Sequence, residues 1–103
     1  MRNSNPKISI PKGKIADFCQ RNHIRKLSLF GSVLREDFKP DSDVDILVEF
    51  EPGHVPSFFR LFDMEEELSS LLGRKADLRT AEDLSRYFRD EVLANAQVQY
   101  DKK

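Results

Sequence analysis

Apolar and polar residues repeat along the chain with two different periods, and the changes between them predict the order of helices and strands. After Pro11, apolar residues recur every three or four positions to about residue 22, which is typical of a helix with one buried face. Residues 26–30 and 43–50 alternate at every second position, as strands do. A second helical stripe begins after Pro56-Ser57 and ends at Gly73, and residues 75–79 then predict a short third strand.

Capping signals predict the remaining helices. Ser32 is expected to cap a short helix that continues through Arg35. Thr80-Ala81-Glu82-Asp83 fits a capping box, which predicts a helix that includes Leu84 and Phe88. A last helical segment presents four further residues, Val92, Leu93, Ala96 and Tyr100. The predicted order is α-β-α-β-α-β-α-α in an α/β (α+β) fold, a small mixed sheet with helices packed against it. Residues 1–10 are expected to form a flexible N-terminal segment and residues 11–103 a single domain.

Composition and charge exclude several classes of protein. The 103 residues are 39% hydrophobic and 34% charged, as in an ordinary globular domain, and the net charge is −1. Neither a direct nucleic-acid partner nor a membrane surface is expected from that charge. Cys19 is the only cysteine, which favours a reducing compartment, and it falls on the buried side of the first predicted helix. Because no signal peptide or membrane-spanning apolar run is present, the expected location is the cytoplasm.

Two acidic residues stand at the head of the second predicted strand. Strand alternation places Asp43 and Asp45 on one face, and Val44, Ile46 and Val48 on the opposite, core-facing side. Neighbouring carboxylates repel one another unless they are solvated or share a cation, and oxygen ligands favour Mg²⁺ or Mn²⁺. The pattern therefore predicts that this acid pair holds metal ions.

A third carboxylate is available in the third predicted strand. Ala76 and Leu78 form its apolar alternation, which leaves Asp77 on the polar face. If this strand pairs beside the second one in a suitable register, Asp43, Asp45 and Asp77 converge. Three such acids suit two-metal phosphoryl chemistry, in which one of them also accepts the proton of the attacking hydroxyl.

The Gly31-Ser32 pair predicts the complementary half of a nucleotide site. Gly31 permits a tight turn and close backbone approach. Free N–H groups at the start of the following short helix favour an anion, to which the Ser32 hydroxyl and the Arg35 guanidinium add donors. A triphosphate bound there would lie against cations held by Asp43 and Asp45.

Simpler interpretations exist for each feature on its own. Asp-x-Asp is common in exposed turns, and a lone Gly-Ser is usually only a turn. A calcium loop that starts at Asp41 is excluded, because its sixth position is Ile46 rather than glycine and its twelfth is Pro52 rather than glutamate. His23 and His54 lack metal-ligand spacing and are interpreted as surface residues.

The combined pattern resembles the signature of the DNA polymerase β-type nucleotidyltransferase superfamily, and the short chain resembles its minimal nucleotidyltransferases, the MNT or MntA-type antitoxins. The resemblance covers about residues 15–100. It is carried by four segments, Gly31-Ser32-Val33-Leu34-Arg35, Ser42-Asp43-Val44-Asp45-Ile46-Leu47-Val48, Leu72-Gly73-Arg74-Lys75-Ala76-Asp77-Leu78 and Val92-Leu93-Ala94-Asn95-Ala96.

The resemblance implies a polymerase β-like core that transfers AMP from ATP, with two Mg²⁺ ions and release of pyrophosphate. By position, Asp43 and Asp45 would be shared metal ligands, Asp77 the third acid, and Gly31, Ser32 and Arg35 the phosphate-binding residues. The implied partner is a HEPN-domain toxin, which would be inactivated by adenylylation of a tyrosine. One departure is Leu34-Arg35-Glu36, where the family often has Ala-Arg-Gly and where the glutamate adds negative charge near the polyphosphate.

Three functions remain open from the sequence. The first is the adenylyltransferase antitoxin just described. The second is an antitoxin that neutralises its partner by binding alone. The third, transfer to a small molecule or an RNA end, is disfavoured because no chain remains for a second, acceptor-binding domain and the net charge is close to zero.

Overall fold

The computed structural model describes residues 10–34, 43–87 and 89–102, which contain three helices and a mixed four-stranded sheet. The expected N-terminal segment, residues 1–10, lies outside these ranges except for Ile10, which packs against the core. The elements are α1 (Lys12–Arg21), β1 (Ile24–Phe30), a 3₁₀ turn (Gly31–Leu34), β2 (Val44–Phe50), α2 (Phe58–Leu72), β3 (Ala76–Arg79), a second 3₁₀ turn (Ala81–Asp83), α3 (Arg89–Asn95) and β4 (Gln97–Asp101).

The sheet has the strand order β3-β2-β1-β4. The central strands β1 and β2 are antiparallel, β4 is antiparallel to β1, and β3 is parallel to β2. The predicted mixed α/β sheet is therefore confirmed. Across the part of the chain that the structure describes, none of the helices is both long and apolar enough to cross a bilayer.

The core lies between the sheet and the helices α1 and α2. Val44, Ile46 and Val48 are buried as predicted, and Leu47, which points to the opposite face, is buried as well. The buried side chains of the two helices complete this core and are Ile15, Phe18, Cys19, Met64 and Leu68. Helix α2 begins and ends as predicted: the Ser57 side chain accepts a hydrogen bond from the backbone N–H of Arg60, and Gly73 ends the helix in the left-handed conformation.

The C-terminal third differs from the prediction. The capping box at Thr80 is present, but it opens only the 3₁₀ turn Ala81–Asp83, and Leu84 already has an extended backbone. The predicted last helix ends at Asn95, and Val98 and Tyr100 belong to strand β4 instead. The side of β1 away from β2 would be an unpaired edge without β4. Pairing with that edge stabilises the last residues as a strand, because their own preference for a helix is weak.

Three smaller corrections concern element starts and the stripe of α2. Strand β2 begins at Val44, so Asp43 lies immediately before it. The first 3₁₀ turn already includes Gly31, so Ser32 lies inside the turn and does not precede it as a cap. Phe58 lies on the predicted apolar stripe of α2 but is 82% exposed, because the stripe defines the apolar face of a helix and not whether another element covers it.

The buried Cys19 provides a test of the core. Burial raises the pKa of the Cys19 thiol from 9.0 to about 12. We therefore expect the native thiol to react at pH 8 about a thousandfold more slowly than the unfolded chain, because the reactive thiolate is depleted by that factor. Absorbance of a chromogenic disulfide reagent, with and without denaturant, measures the ratio. Equal rates in the two conditions would contradict the burial of Cys19.

Candidate active site

Strand β2 carries Asp45 into the sheet and leaves Asp43 at its entrance. Asp43 is exposed, whereas Asp45 is half-buried between the buried residues Val44 and Ile46. The two acids, separated by the buried Val44, thus lie at one end of β2.

Strand β3 brings the third acid beside them. In the parallel pair of β2 and β3, Asp45 is directly opposite Asp77, and Val44 is opposite Ala76. Residues opposite each other in neighbouring strands are about 4.8 Å apart and present their side chains on the same face. The register required by the sequence argument is therefore present for Asp45 and Asp77.

Side chains of α2 hold β3 at the edge of the sheet. The carboxylate of Glu65 accepts a hydrogen bond from the backbone N–H of Leu78 at 2.8 Å, and the Ser69 hydroxyl accepts one from the N–H of Ala76 at 2.8 Å. These two bonds flank Asp77. They satisfy edge donors that would otherwise need water, and they fix the position of Asp77 relative to β2.

Gly31 lies against the carboxylate of Asp45. Phe30, the last residue of β1, is opposite Asp45 in the antiparallel pair, and Gly31 follows with φ of 79°. A Cβ atom at Gly31 would lie 2.3 Å from Oδ2 of Asp45, much closer than any real contact. The absence of a side chain at Gly31 therefore makes the space that the Asp45 carboxylate occupies.

A cation that the sequence reasoning missed lies among the acids. Nη2 of Arg79 donates a hydrogen bond to Oδ2 of Asp77 at 3.1 Å. The pKa of Arg79 is raised above its ordinary value, mainly by that hydrogen bond and the charge of Asp77, with smaller contributions from Asp83 and Asp45. The signal in the sequence was Asp77-x-Arg79, because residues two apart in a strand share a face.

The structure does not describe the side chains of two of the predicted phosphate-binding residues, Ser32 and Arg35. Arg35 as a whole lies outside the described residues. Of the predicted phosphate-binding residues, Gly31 is the one whose surroundings the structure gives.

Two grooves open beside these residues. A groove of about 440 Å³ adjoins Gly31, and its lining includes Phe30, Leu34, Val92 and Asn95. A groove of about 320 Å³ runs along Asp77 and Arg79 to the exposed Phe58 and Phe62. One groove thus reaches the Gly31 turn and the other reaches Asp77.

The donor set fits hard divalent cations. Asp45 and Asp77 offer carboxylate oxygens from directly opposed positions of neighbouring strands, and Asp43 lies immediately before β2. Among the residues that the structure describes, the three carboxylates are not gathered within 4.8 Å of one another. Oxygen-only ligand sets of this kind suit Mg²⁺ or Mn²⁺.

Comparison with known sequences finds relatives among nucleotidyltransferases. A model of the nucleotidyltransferase domain family matches residues 12–99. Protein adenylyltransferase MntA of Thermococcus cleftensis is 46% identical over 59 residues, which are 57% of this chain and 58% of that protein. A Methanocaldococcus jannaschii protein described as a candidate protein adenylyltransferase is 34% identical over 82% of this chain and 89% of its own length.

Comparison with solved structures agrees with the fold. A candidate minimal nucleotidyltransferase superimposes with a TM-score of 0.68 and 30% identity, over 82% of this chain and 85% of the other. A chain in a toxin–antitoxin structure with AMP-PNP superimposes with a TM-score of 0.72 and 20% identity, over 91% of this chain and 76% of the other. A chain in the structure of a tri-AMPylated Shewanella oneidensis HEPN toxin in complex with MNT antitoxin superimposes with a TM-score of 0.64 and 20% identity, over 88% of this chain and 70% of the other.

Proposed function

Because this chain belongs to the nucleotidyltransferase domain family, we propose that it transfers AMP from ATP to a tyrosine hydroxyl of a HEPN-domain toxin and so acts as the antitoxin of that pair. The observation that carries the proposal is the register of β2 and β3, which places Asp77 opposite Asp45 while Gly31 lies against the Asp45 carboxylate. This arrangement puts two carboxylate side chains next to a glycine turn, which supports the proposed metal and polyphosphate binding.

ATP would bind with its phosphates at the Gly31-Ser32 turn, where Arg35 is the proposed additional cation. The adjoining groove of about 440 Å³ has apolar walls from Phe30, Leu34 and Val92, and it fits a nucleoside. Asp43, Asp45 and Asp77 would hold two Mg²⁺ ions, which when bound supply charge neutralisation and Lewis acidity at the phosphates.

The chain's own residues then position and deprotonate the acceptor. The hydroxyl oxygen attacks the α-phosphorus, the bond from that phosphorus to the oxygen bridging to the β-phosphate breaks, and pyrophosphate leaves with that bond's electron pair. Asp77 accepts the hydroxyl proton. Arg79, which donates to Asp77, holds this carboxylate in place and contributes positive charge beside the reacting phosphate.

The relatives support this activity and this partner. The Thermococcus relative is named a protein adenylyltransferase, and this chain spans 58% of its length. The Shewanella structure pairs an MNT antitoxin with a HEPN toxin that carries AMP groups. Both are properties of those proteins, and we extend them to this chain as part of the proposal.

The groove beside Asp77 is the proposed entrance for the acceptor tyrosine. It runs from Asp77 to the first turns of α2, where Phe58 is 82% and Phe62 60% exposed. An exposed aromatic surface continuous with a reactive acid suits a partner protein better than it suits a small molecule.

Replacing Phe58 and Phe62 together with serine is expected to weaken the complex with the toxin about tenfold or more, since exposed aromatic anchors carry much of the binding energy of interfaces. Affinity for ATP should stay unchanged. Titration calorimetry with toxin and with ATP measures both. The control is Tyr87→Ser, which alters a 92% exposed aromatic outside the lining of this groove; an equal loss of toxin binding in the control would exclude this groove as the specific entrance.

The mass of the toxin tests the proposed reaction. The purified chain, a purified HEPN-domain toxin as the proposed partner, ATP and Mg²⁺ are mixed, and intact mass spectrometry follows the toxin. We expect a gain of one or more AMP groups located on tyrosine, and no gain when a chelator removes the divalent cations. An unmodified toxin whose activity is nonetheless abolished would favour the second function below.

The second candidate function is an antitoxin that acts by binding alone. The exposed aromatic side chains of α2 favour it, because a docking surface needs no intact chemistry. In that case a variant with Asp43→Asn and Asp45→Asn would protect cells from the toxin as well as the parent chain does.

A further inference from the structure

Two histidines and a glutamate meet at the far end of the sheet from the candidate active site. His23 follows α1, Glu51 follows β2, and His54 lies in the loop before α2. One ligand atom from each lies within 4.8 Å of the others. Glu51 is six residues further along β2 than Asp45, which corresponds to about 20 Å in an extended strand. The cluster is therefore separate from the acids of the candidate active site.

Backbone hydrogen bonds fix the three residues relative to one another. The N–H of Glu51 donates to the carbonyl of His23 at 2.9 Å, and the N–H of His54 donates to the carbonyl of Glu51 at 3.0 Å. The second bond closes a turn with Pro52-Gly53 at its centre, where Gly53 has φ of 80°, as in a type II turn. The sequence distance between His23 and His54 therefore does not separate them in the fold.

The side chains converge on a common point. The imidazole rings of His23 and His54 are stacked, with centroids 4.0 Å apart and an angle of 14° between their planes. Nδ1 of His23 lies 3.9 Å from Oε1 of Glu51. Lys102 holds the other oxygen, Oε2, at 2.8 Å, which orients the carboxylate with Oε1 toward the histidines.

We propose that His23, Glu51 and His54 form a binding site for a borderline transition-metal cation, with Zn²⁺ as the expected ion. Two imidazole nitrogens and one carboxylate oxygen are a common ligand set for zinc, and imidazole is a poor ligand for Mg²⁺. A water or a fourth group completes the coordination. The bound ion links the turn after α1 to the turn after β2.

Metal binding requires a defined change in the two rings. Zinc lies about 2.0–2.1 Å from its nitrogen ligands, so ligand atoms around a tetrahedral ion are about 3.3 Å apart. The atoms of this cluster must therefore close by about an ångström. An imidazole nitrogen binds a metal in the plane of its ring, so the two rings must tilt out of their stack. The partly exposed side chains have the freedom to do so, since His23 is about half exposed.

The experiment titrates Zn²⁺ into the full chain without an affinity tag, with millimolar Mg²⁺ present to occupy the candidate active site. Calorimetry gives stoichiometry and affinity, and nitrogen-detected NMR of the imidazoles reports on both rings. We expect one Zn²⁺ per chain and simultaneous shifts of the His23 and His54 ring nitrogens. Glu51→Gln and His54→Ala should each weaken binding at least tenfold, while the control Glu66→Gln, at an exposed position on α2, should leave it unchanged.

Two results would overturn this site. The first is Zn²⁺ binding that is absent or leaves both imidazoles unshifted. The second is binding that survives Glu51→Gln and His54→Ala but is lost in Asp43→Asn, which would place the ion at the candidate active site. Circular dichroism of each variant checks that it is folded, and the NMR shifts of the unaltered chain decide the matter if a variant is not.

Discussion

Replacing Asp45 with asparagine is expected to lower the rate of AMP transfer about a thousandfold. Asparagine has almost the shape of aspartate but lacks the negative charge that would hold a cation between β2 and β3. Removing that charge eliminates several kcal/mol of stabilisation of the transition state. The fold should persist, because asparagine keeps the shape of this half-buried side chain and Asp45 lies outside the hydrophobic core.

The initial rate of toxin modification, followed by mass spectrometry, measures this effect, and thermal unfolding checks stability. Asp101→Asn is the matched control, since Asp101 is an exposed strand acid at the opposite edge of the sheet, on β4. An Asp45→Asn variant that retains more than about a tenth of the parental rate would show that Asp45 does not have the proposed role.

Replacing Gly31 with alanine is expected to reduce both stability and AMP transfer. The backbone of Gly31 has φ of 79°, where a residue with a side chain costs about 1–2 kcal/mol. The new Cβ would also lie 2.3 Å from Oδ2 of Asp45, so the carboxylate must move away. Since the position of a reacting group matters at the level of an ångström, we expect the rate to fall about a hundredfold.

Gly53→Ala separates these two effects. Gly53 has nearly the same backbone angle, φ of 80°, but a Cβ there has no neighbour within 4 Å. The control should therefore lose a similar free energy of unfolding and keep its AMP transfer rate. Urea unfolding and the toxin modification assay compare the two variants. A Gly31→Ala chain as active as Gly53→Ala would contradict the close packing of Gly31 and Asp45.

Strand β2 was predictable because one local pattern determines it. Val44, Ile46 and Val48 must face a core, and the period of two then places Asp45 on the other side. The helix α2 was equally predictable, since Ser57 and Gly73 are local signals at its two ends. In these segments the local preference and the tertiary environment agree.

The C-terminal strand was not predicted because its stability comes from a distant partner. Residues of β4 pair with β1, whose own sequence lies about seventy positions earlier. The predicted helix after Thr80 failed for a similar reason. Its capping box is present as predicted, but only a 3₁₀ turn follows it. Local signals define where a helix can start, whereas packing against the sheet decides how far it continues.

The candidate site was predictable in its acids but not in the residues around them. The type of residue at Asp45 and Asp77 is visible in the sequence, whereas their direct pairing depends on the register of β3 against β2. The contacts of Glu65 with β3 and the stacking of His23 on His54 join residues that are far apart in the chain. No spacing rule could have grouped them.

The location of a labelled phosphate would show whether the toxin receives AMP from ATP. The chain, the HEPN toxin proposed as its partner and Mg²⁺ are incubated with ATP labelled either at the α-phosphate or at the γ-phosphate, and the toxin is then separated from nucleotide. We expect a tyrosine of the toxin to gain the α label as part of an AMP group, while the γ label leaves in pyrophosphate. A toxin that gains neither label, or gains the γ label, would contradict the proposed AMP transfer.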